Sequence, residues 1–227
     1  ILSDLFSVGM TLLRLLTPVV AVLALTGCVS DSGTTADPIA PVDNEFQQDV
    51  NGARSTVEEY WAAFFETQGG QFVPVNEVLP YTEEGEGSCG GEPFVLNNAF
   101  YCPVDHFIAY DANFLADQYA AIGDAFVFYV IGHEYAHAVQ EQLGITHRLT
   151  IQHELQADCM AGAYLGDSVR GNRLKLEDGD IDELLVSLET VGDQPGIPWF
   201  AEGAHGTGEE RTDAFSKGSG GSLSACI

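Results

Sequence analysis

His133-Glu134-Tyr135-Ala136-His137 places two imidazoles four residues apart, with a carboxylate directly after the first. On a helix, one turn brings His133 and His137 to the same face, where both can bind one zinc ion. Glu134 then sits about 100° round the axis, placed to hold a water beside the metal. At these histidine and glutamate frequencies such a pentapeptide arises by chance in on the order of one chain in a hundred. A merely buried apolar face has no use for two imidazoles one turn apart. The chemistry this pattern suits is hydrolysis by a zinc-activated water with Glu134 as general base.

Catalytic zinc takes three protein ligands and keeps one position open, so a third donor is required. Glu154-Leu155-Gln156-Ala157-Asp158 offers one. Glu154 and Asp158 share a helical face, so Glu154 can ligate zinc while Asp158 accepts the outer N–H of a zinc-bound histidine. The small residues Ala157 and Ala161 would let this helix approach the first closely. His153 competes with Glu154, being the better zinc donor by type, but it points about 100° away, and both cannot aim at one metal without distortion. His106 and His147 are weaker candidates.

These residues need helices to position them. Asp124 is suited to cap a helix running through Phe126, Val130 and His133 to Leu143, with Gly144 as its stop. A second helix is expected from about Arg148 to Leu165. A third opens at Asp180 with Glu183 in a capping-box-like pair, and a last one opens at Thr207 with Glu210 and stops at Gly218. Upstream, Val57 to Glu66 reads as an amphipathic helix burying Trp61, Phe64 and Phe65, ended by Gly69-Gly70. Residues 80–93, rich in glycine, proline and acids, read as a loop, and His106 to Tyr110 as a short strand.

The chain has 227 residues and 45% hydrophobic content, enough for one well-buried domain. Its 8 basic and 34 acidic residues give a net charge of −26. That balance repels phosphate backbones and anionic lipid surfaces, which excludes nucleic acid as a partner. An acidic, lysine-poor surface favours solubility and tolerance of salt.

Val8 to Gly27 is apolar apart from Arg14, contains Pro18, and ends Leu25-Thr26-Gly27-Cys28 before a polar stretch. This resembles a bacterial lipoprotein signal, in which Cys28 takes the lipid; the alternative is a permanent membrane helix. The expected organisation is a signal peptide over 1–27, with Met10 as a possible start. A flexible tether follows over 28–45, then one domain over 46–227. The protein would be exported and held at the extracytoplasmic face of the membrane by its lipid. Assigning Cys28 to lipid leaves four cysteines for an oxidising compartment, with three possible connectivities. Cys89 with Cys102 closes the shortest loop, which leaves Cys159 with Cys226. The sequence carries no signal for an oligomeric state.

From Cys102 to Cys226 the chain resembles the bacterial neutral zinc metallopeptidases, a gluzincin-like family. The resemblance rests on Tyr101-Cys102-Pro103, the HExxH segment, Glu154-Leu155-Gln156-Ala157-Asp158-Cys159, Gly179-Asp180-Ile181 and His205-Gly206-Thr207, in that order. It implies an α+β, zincin-like, mainly helical domain with a small edge sheet. It also implies Zn2+ on His133, His137 and Glu154, a catalytic Glu134, bridged cysteines, and a peptide or protein substrate. Tyr135, where a small apolar residue or valine is commoner, and His153 depart from the pattern. His205, in a turn before the Thr207 helix, is the candidate donor to the oxyanion. By analogy with zincin edge strands, the His106–Tyr110 strand would pair with an extended substrate. The rival reading is a non-catalytic zinc-binding envelope lipoprotein, against which Glu134 argues, since storage needs no base. A hydrolase of non-peptide amides would use the same residues.

Overall fold

The computed structural model describes residues 44–227; the signal-like stretch, Cys28 and nearly all of the expected tether lie outside them. The described chain is α+β and mainly helical, with a small sheet. No helix among the described residues is long and apolar enough to cross a membrane.

Helix α1 runs Asn44–Thr67, well beyond the stretch that aromatic spacing marks out. Its apolar residues Phe46, Val50, Ala53, Val57 and Trp61 recur every three or four positions and are all buried. Strands β1 (Val78–Tyr81), β2 (Ser88–Cys89), β3 (Glu92–Pro93), β4 (Ala99–Cys102) and β5 (Phe107–Asp111) follow. β5 is the centre of a three-stranded sheet, parallel to β1 on one side and antiparallel to β4 on the other. This corrects the expectation that the His106–Tyr110 segment offers a free edge. All five residues of β5 are buried, four apolar and the last Asp111, as a strand flanked on both sides demands, and the edges fall to β1 and β4. His106 lies just outside the strand with φ of 56°. The β2–β3 hairpin forms inside the expected 80–93 loop, and the Cys89–Cys102 disulfide fastens it to β4.

Helix α2 (Ala112–Ala121), not among the expected elements, is capped by Asp111, whose side chain accepts from the backbone N–H groups of Asn113 and Phe114. Helix α3 (Ala125–Leu143) is the central element, with 14 of its 19 residues buried, and ends at Gly144 in the left-handed conformation. Its N-terminus departs from expectation, because Asp124 makes no side-chain cap. Glu183 does this instead from helix α5 (Asp180–Thr190), its carboxylate accepting the Ala125 N–H at 3.3 Å. The expected Asp180–Glu183 capping pair is therefore absent; Gly179 precedes α5, and Asp180 accepts from the Glu177 N–H.

Helix α4 covers Thr150–Arg170 and helix α6 covers Gly208–Gly221, the latter opened by the Thr207–Glu210 capping box. Gly218 lies within α6 and does not end it. A Cβ there would come 1.8 Å from the Cys159 carbonyl oxygen, and one at Gly162 would come 2.1 Å from that of Phe215. The two helices thus pack backbone against backbone, which only glycine at the crossing permits. The Cys159–Cys226 disulfide ties α4 to the chain beyond α6. Tyr135 faces away from the histidines toward α1, where its hydroxyl donates to Glu58.

Candidate metal centre

Helix α3 is apolar on almost every side, so its polar residues His133, Glu134 and Gln140 are carried inward with it; all three are buried. Helix α4 crosses beside it and presents Glu154 and Asp158 to the same region. His133, His137 and Glu154 converge into a group able to hold a metal ion. The two Nε2 atoms stand 3.1 Å apart, and Glu154 Oε2 lies 3.2 Å from that of His133 and 3.5 Å from that of His137. Donors about 2.0–2.1 Å from a tetrahedral zinc stand about 3.3–3.4 Å from one another, so the triangle fits.

The outer nitrogens explain why. His133 Nδ1 is 2.9 Å from Asp158 Oδ1, and His137 Nδ1 is 2.8 Å from Gln140 Oε1. Gln140 donates its own amide to the His153 carbonyl and to Gln156, which turns its oxygen toward His137. With both Nδ1 atoms donating, both Nε2 lone pairs face the carboxylate of Glu154, and only a cation satisfies all three. A proton partly meets that demand. Burial opposes charge on His133, but Asp158 and Glu154 override it and pull this histidine up to about 10. Burial likewise opposes ionisation of Glu154, yet the two imidazoles hold it well below the usual carboxylate range. A divalent cation would serve all three donors at once, in competition with that proton.

Asp158 is fully buried and is the hub of the support. Its Oδ1 accepts from the Tyr129 hydroxyl at 2.7 Å as well as from His133, and Arg211 of α6 grips both oxygens at 2.9 and 3.0 Å. Sequence reasoning missed Tyr129, Gln140 and Arg211. The signal for Arg211 was a cation near the start of a helix, where the helix dipole disfavours it and some other anion must compensate. Gln140 follows His137 by three positions on an otherwise apolar helix, the place for a partner to a ligand.

The remaining candidates separate. His153 stacks on His137, ring centroids 5.0 Å apart, and stays outside the donor triangle. Burial and the neighbouring His137 lower it to about 4, so it is neutral. His147 hydrogen-bonds to Gln156, and His106 to the Tyr101 hydroxyl. His205 lies on the wall of the cleft that contains the donors, with its side chain half exposed and Nδ1 3.6 Å from Asp193 Oδ1. Its backbone N–H and that of Gly206 both donate to Asp193 Oδ2, closing the neck of the 193–206 loop.

Glu134 is buried at the floor of this cleft, which measures about 660 Å³. Burial raises its carboxyl above the ordinary value, opposed by the two imidazoles and by the Tyr101 backbone N–H. Ala99, Phe100 and Tyr101 of edge strand β4 line it as well. The Asp111 N–H donates to the Asn98 carbonyl, so alternation turns Ala99 and Tyr101 outward, toward the cleft.

Two histidines and a carboxylate that could hold a metal ion, with a further buried carboxylate beside them, are the arrangement an HExxH helix and the helix beside it supply. Residues 8–226 match the family described as "Putative neutral zinc metallopeptidase", and the chain belongs to it. It is 29% identical over 219 residues to the uncharacterized protein YpfJ of Escherichia coli (strain K12), covering 86% of this chain and 75% of that protein. It is 36% identical over 116 residues to the uncharacterized protein Rv2575 of Mycobacterium tuberculosis (strain H37Rv), covering 41% of this chain and 40% of the relative. No solved structure matches.

Proposed function

We propose that the chain is a zinc-dependent peptidase in which His133, His137 and Glu154 hold the metal and Glu134 is the general base. The observation that carries this reading is the placement of Glu134. It is 6% exposed, lies beside the three donors without belonging to them, and touches the edge strand through the Tyr101 N–H. A storage site has no use for such a group.

Bound zinc would lower the pKa of a coordinated water and polarise the scissile carbonyl. Glu134 takes the proton as the water oxygen attacks the carbonyl carbon, then returns it to the amide nitrogen as the C–N bond breaks. Its raised affinity for protons suits both transfers. Ala99 offers backbone groups on the cleft side of β4, where an extended substrate can pair. Asp158, held by Arg211 and Tyr129, keeps the His133 tautomer that presents Nε2 to the metal. His205, which lines the same cleft, is the residue we assign as donor to the developing oxyanion.

The test is Glu134→Gln. Zinc should remain near wild-type occupancy while peptide hydrolysis falls about 100-fold to 10,000-fold. Wild-type turnover by a zinc-loaded Glu134→Gln chain would refute the mechanism.

A further inference from the structure

One ionisable group on the cleft wall has no task in this reaction. Glu141 lines the same cleft as Glu134 and His137, is exposed, and its carboxylate makes no hydrogen bond or ion pair among the described residues. Positions 134, 137 and 141 follow one another at helical spacing along α3, so Glu141 lines the same cleft further along the helix than the reacting centre. At 1.5 Å per residue it lies about 6 Å along the axis from His137 and about 10 Å from Glu134. Tyr101 lines the cleft with both acids, its N–H on Glu134 and its hydroxyl 2.9 Å from His106 Nδ1. A peptide extended along β4 rises about 3.3 Å per residue, which sets Glu141 opposite a side chain roughly two or three residues from the scissile bond.

The charges of the cleft are one-sided. Its carboxylates are Glu134, Glu141 and Glu154, and its one guanidinium is Arg211. Arg211 is committed, with Nε and Nη2 on Asp158 and Nη1 on the Val191 carbonyl. No lysine lines the cleft. Apart from the metal it would hold and the half-exposed His205, it therefore offers no cationic side chain to a C-terminal carboxylate or an acidic side chain, and one free anion to a basic side chain. The net charge of −26 draws cationic polypeptides toward it.

We propose that Glu141 selects polypeptides carrying a lysine or arginine two or three residues from the scissile bond, and that cleavage falls at internal bonds of basic segments. This rests on the peptidase reading above. A flexible ammonium or a guanidinium fork can both reach an exposed carboxylate, so the selection is for charge and admits either residue.

The test uses the zinc-loaded full chain and internally quenched peptides that differ at one position, lysine, glutamine or glutamate, moved across the three residues on each side of the cut. The readout is the ratio of kcat/KM for the lysine and glutamate peptides within each protein, so loss of folded enzyme cancels. Wild type should favour lysine by about 10-fold to 100-fold at one position, less so as salt rises. Glu141→Gln should bring the ratio near one, and Glu141→Lys should invert it. Cleavage with the same ratio in all three proteins overturns the role of Glu141 and leaves the peptidase reading intact. Failure of zinc-loaded wild type to cut any peptide overturns the peptidase reading, and this proposal with it.

Discussion

Asp158→Asn separates the support of the metal centre from the centre itself. The native carboxylate takes four donors, from Tyr129, His133 and the two arms of Arg211, at zero exposure. The amide keeps one acceptor oxygen and turns an N–H pair toward groups that are themselves donors. Arg211, 4% exposed, then loses the carboxylate that both its arms grip. Breaking a buried pair from one side costs about 3–5 kcal/mol. At about 2–4 °C per kcal/mol for a domain of this size, the melting temperature should fall by about 6–20 °C. Zinc affinity should fall about 10-fold to 100-fold, because His133 loses the acceptor that fixes its tautomer. Arg211→Met should also destabilise, and the double variant should lose less than the sum of the two, since neither charge is then stranded. Thermal melts of the zinc-free chain and chelator competition on the zinc-loaded chain measure the two effects separately. A folded Asp158→Asn chain with wild-type zinc affinity would refute the supporting role, and strictly additive losses would refute the coupling to Arg211.

Glu154→Ala should release zinc by at least about 100-fold in affinity, whereas His153→Ala should change it little, because His153 stacks outside the donor triangle. Metal analysis after gel filtration decides, and the reverse ranking would make His153 the ligand. His205→Ala should lower kcat about 100-fold or more with zinc content and KM nearly unchanged. The neck of its loop is held by the His205 backbone N–H, which alanine keeps, so the melting temperature should move little. An unchanged kcat would remove His205 from the reaction.

The sequence by itself determined which residues could do chemistry. HExxH and Glu154 with Asp158 are local patterns whose meaning depends only on helical geometry, and both helices that carry them were legible, the first with its stop at Gly144, the second from near Arg148 though it runs past the expected Leu165 to Arg170. The capping box at Thr207–Glu210 was legible for the same reason, being closed within four residues. Cysteine number narrowed the pairing to three connectivities, and the shortest loop pointed to the pair that the structure has.

Only the tertiary structure decided what lies between elements. Edge or centre is a property of a sheet, not of a strand, so the apolar run at β5 could not reveal that β4 carries the edge along the cleft. A glycine that ends a helix and one that admits a neighbouring backbone look alike in sequence; Gly218 proved to be the second kind because α4 crosses it. An acid near a helix start reads as that helix's own cap, yet Glu183 caps α3 across 58 positions of sequence. Arg211 reaches Asp158 across 53 positions, and Glu141 shares a cleft with Tyr101, for the same reason. Charge pairing and shared walls depend on distance in space, which packing sets and spacing along the chain does not.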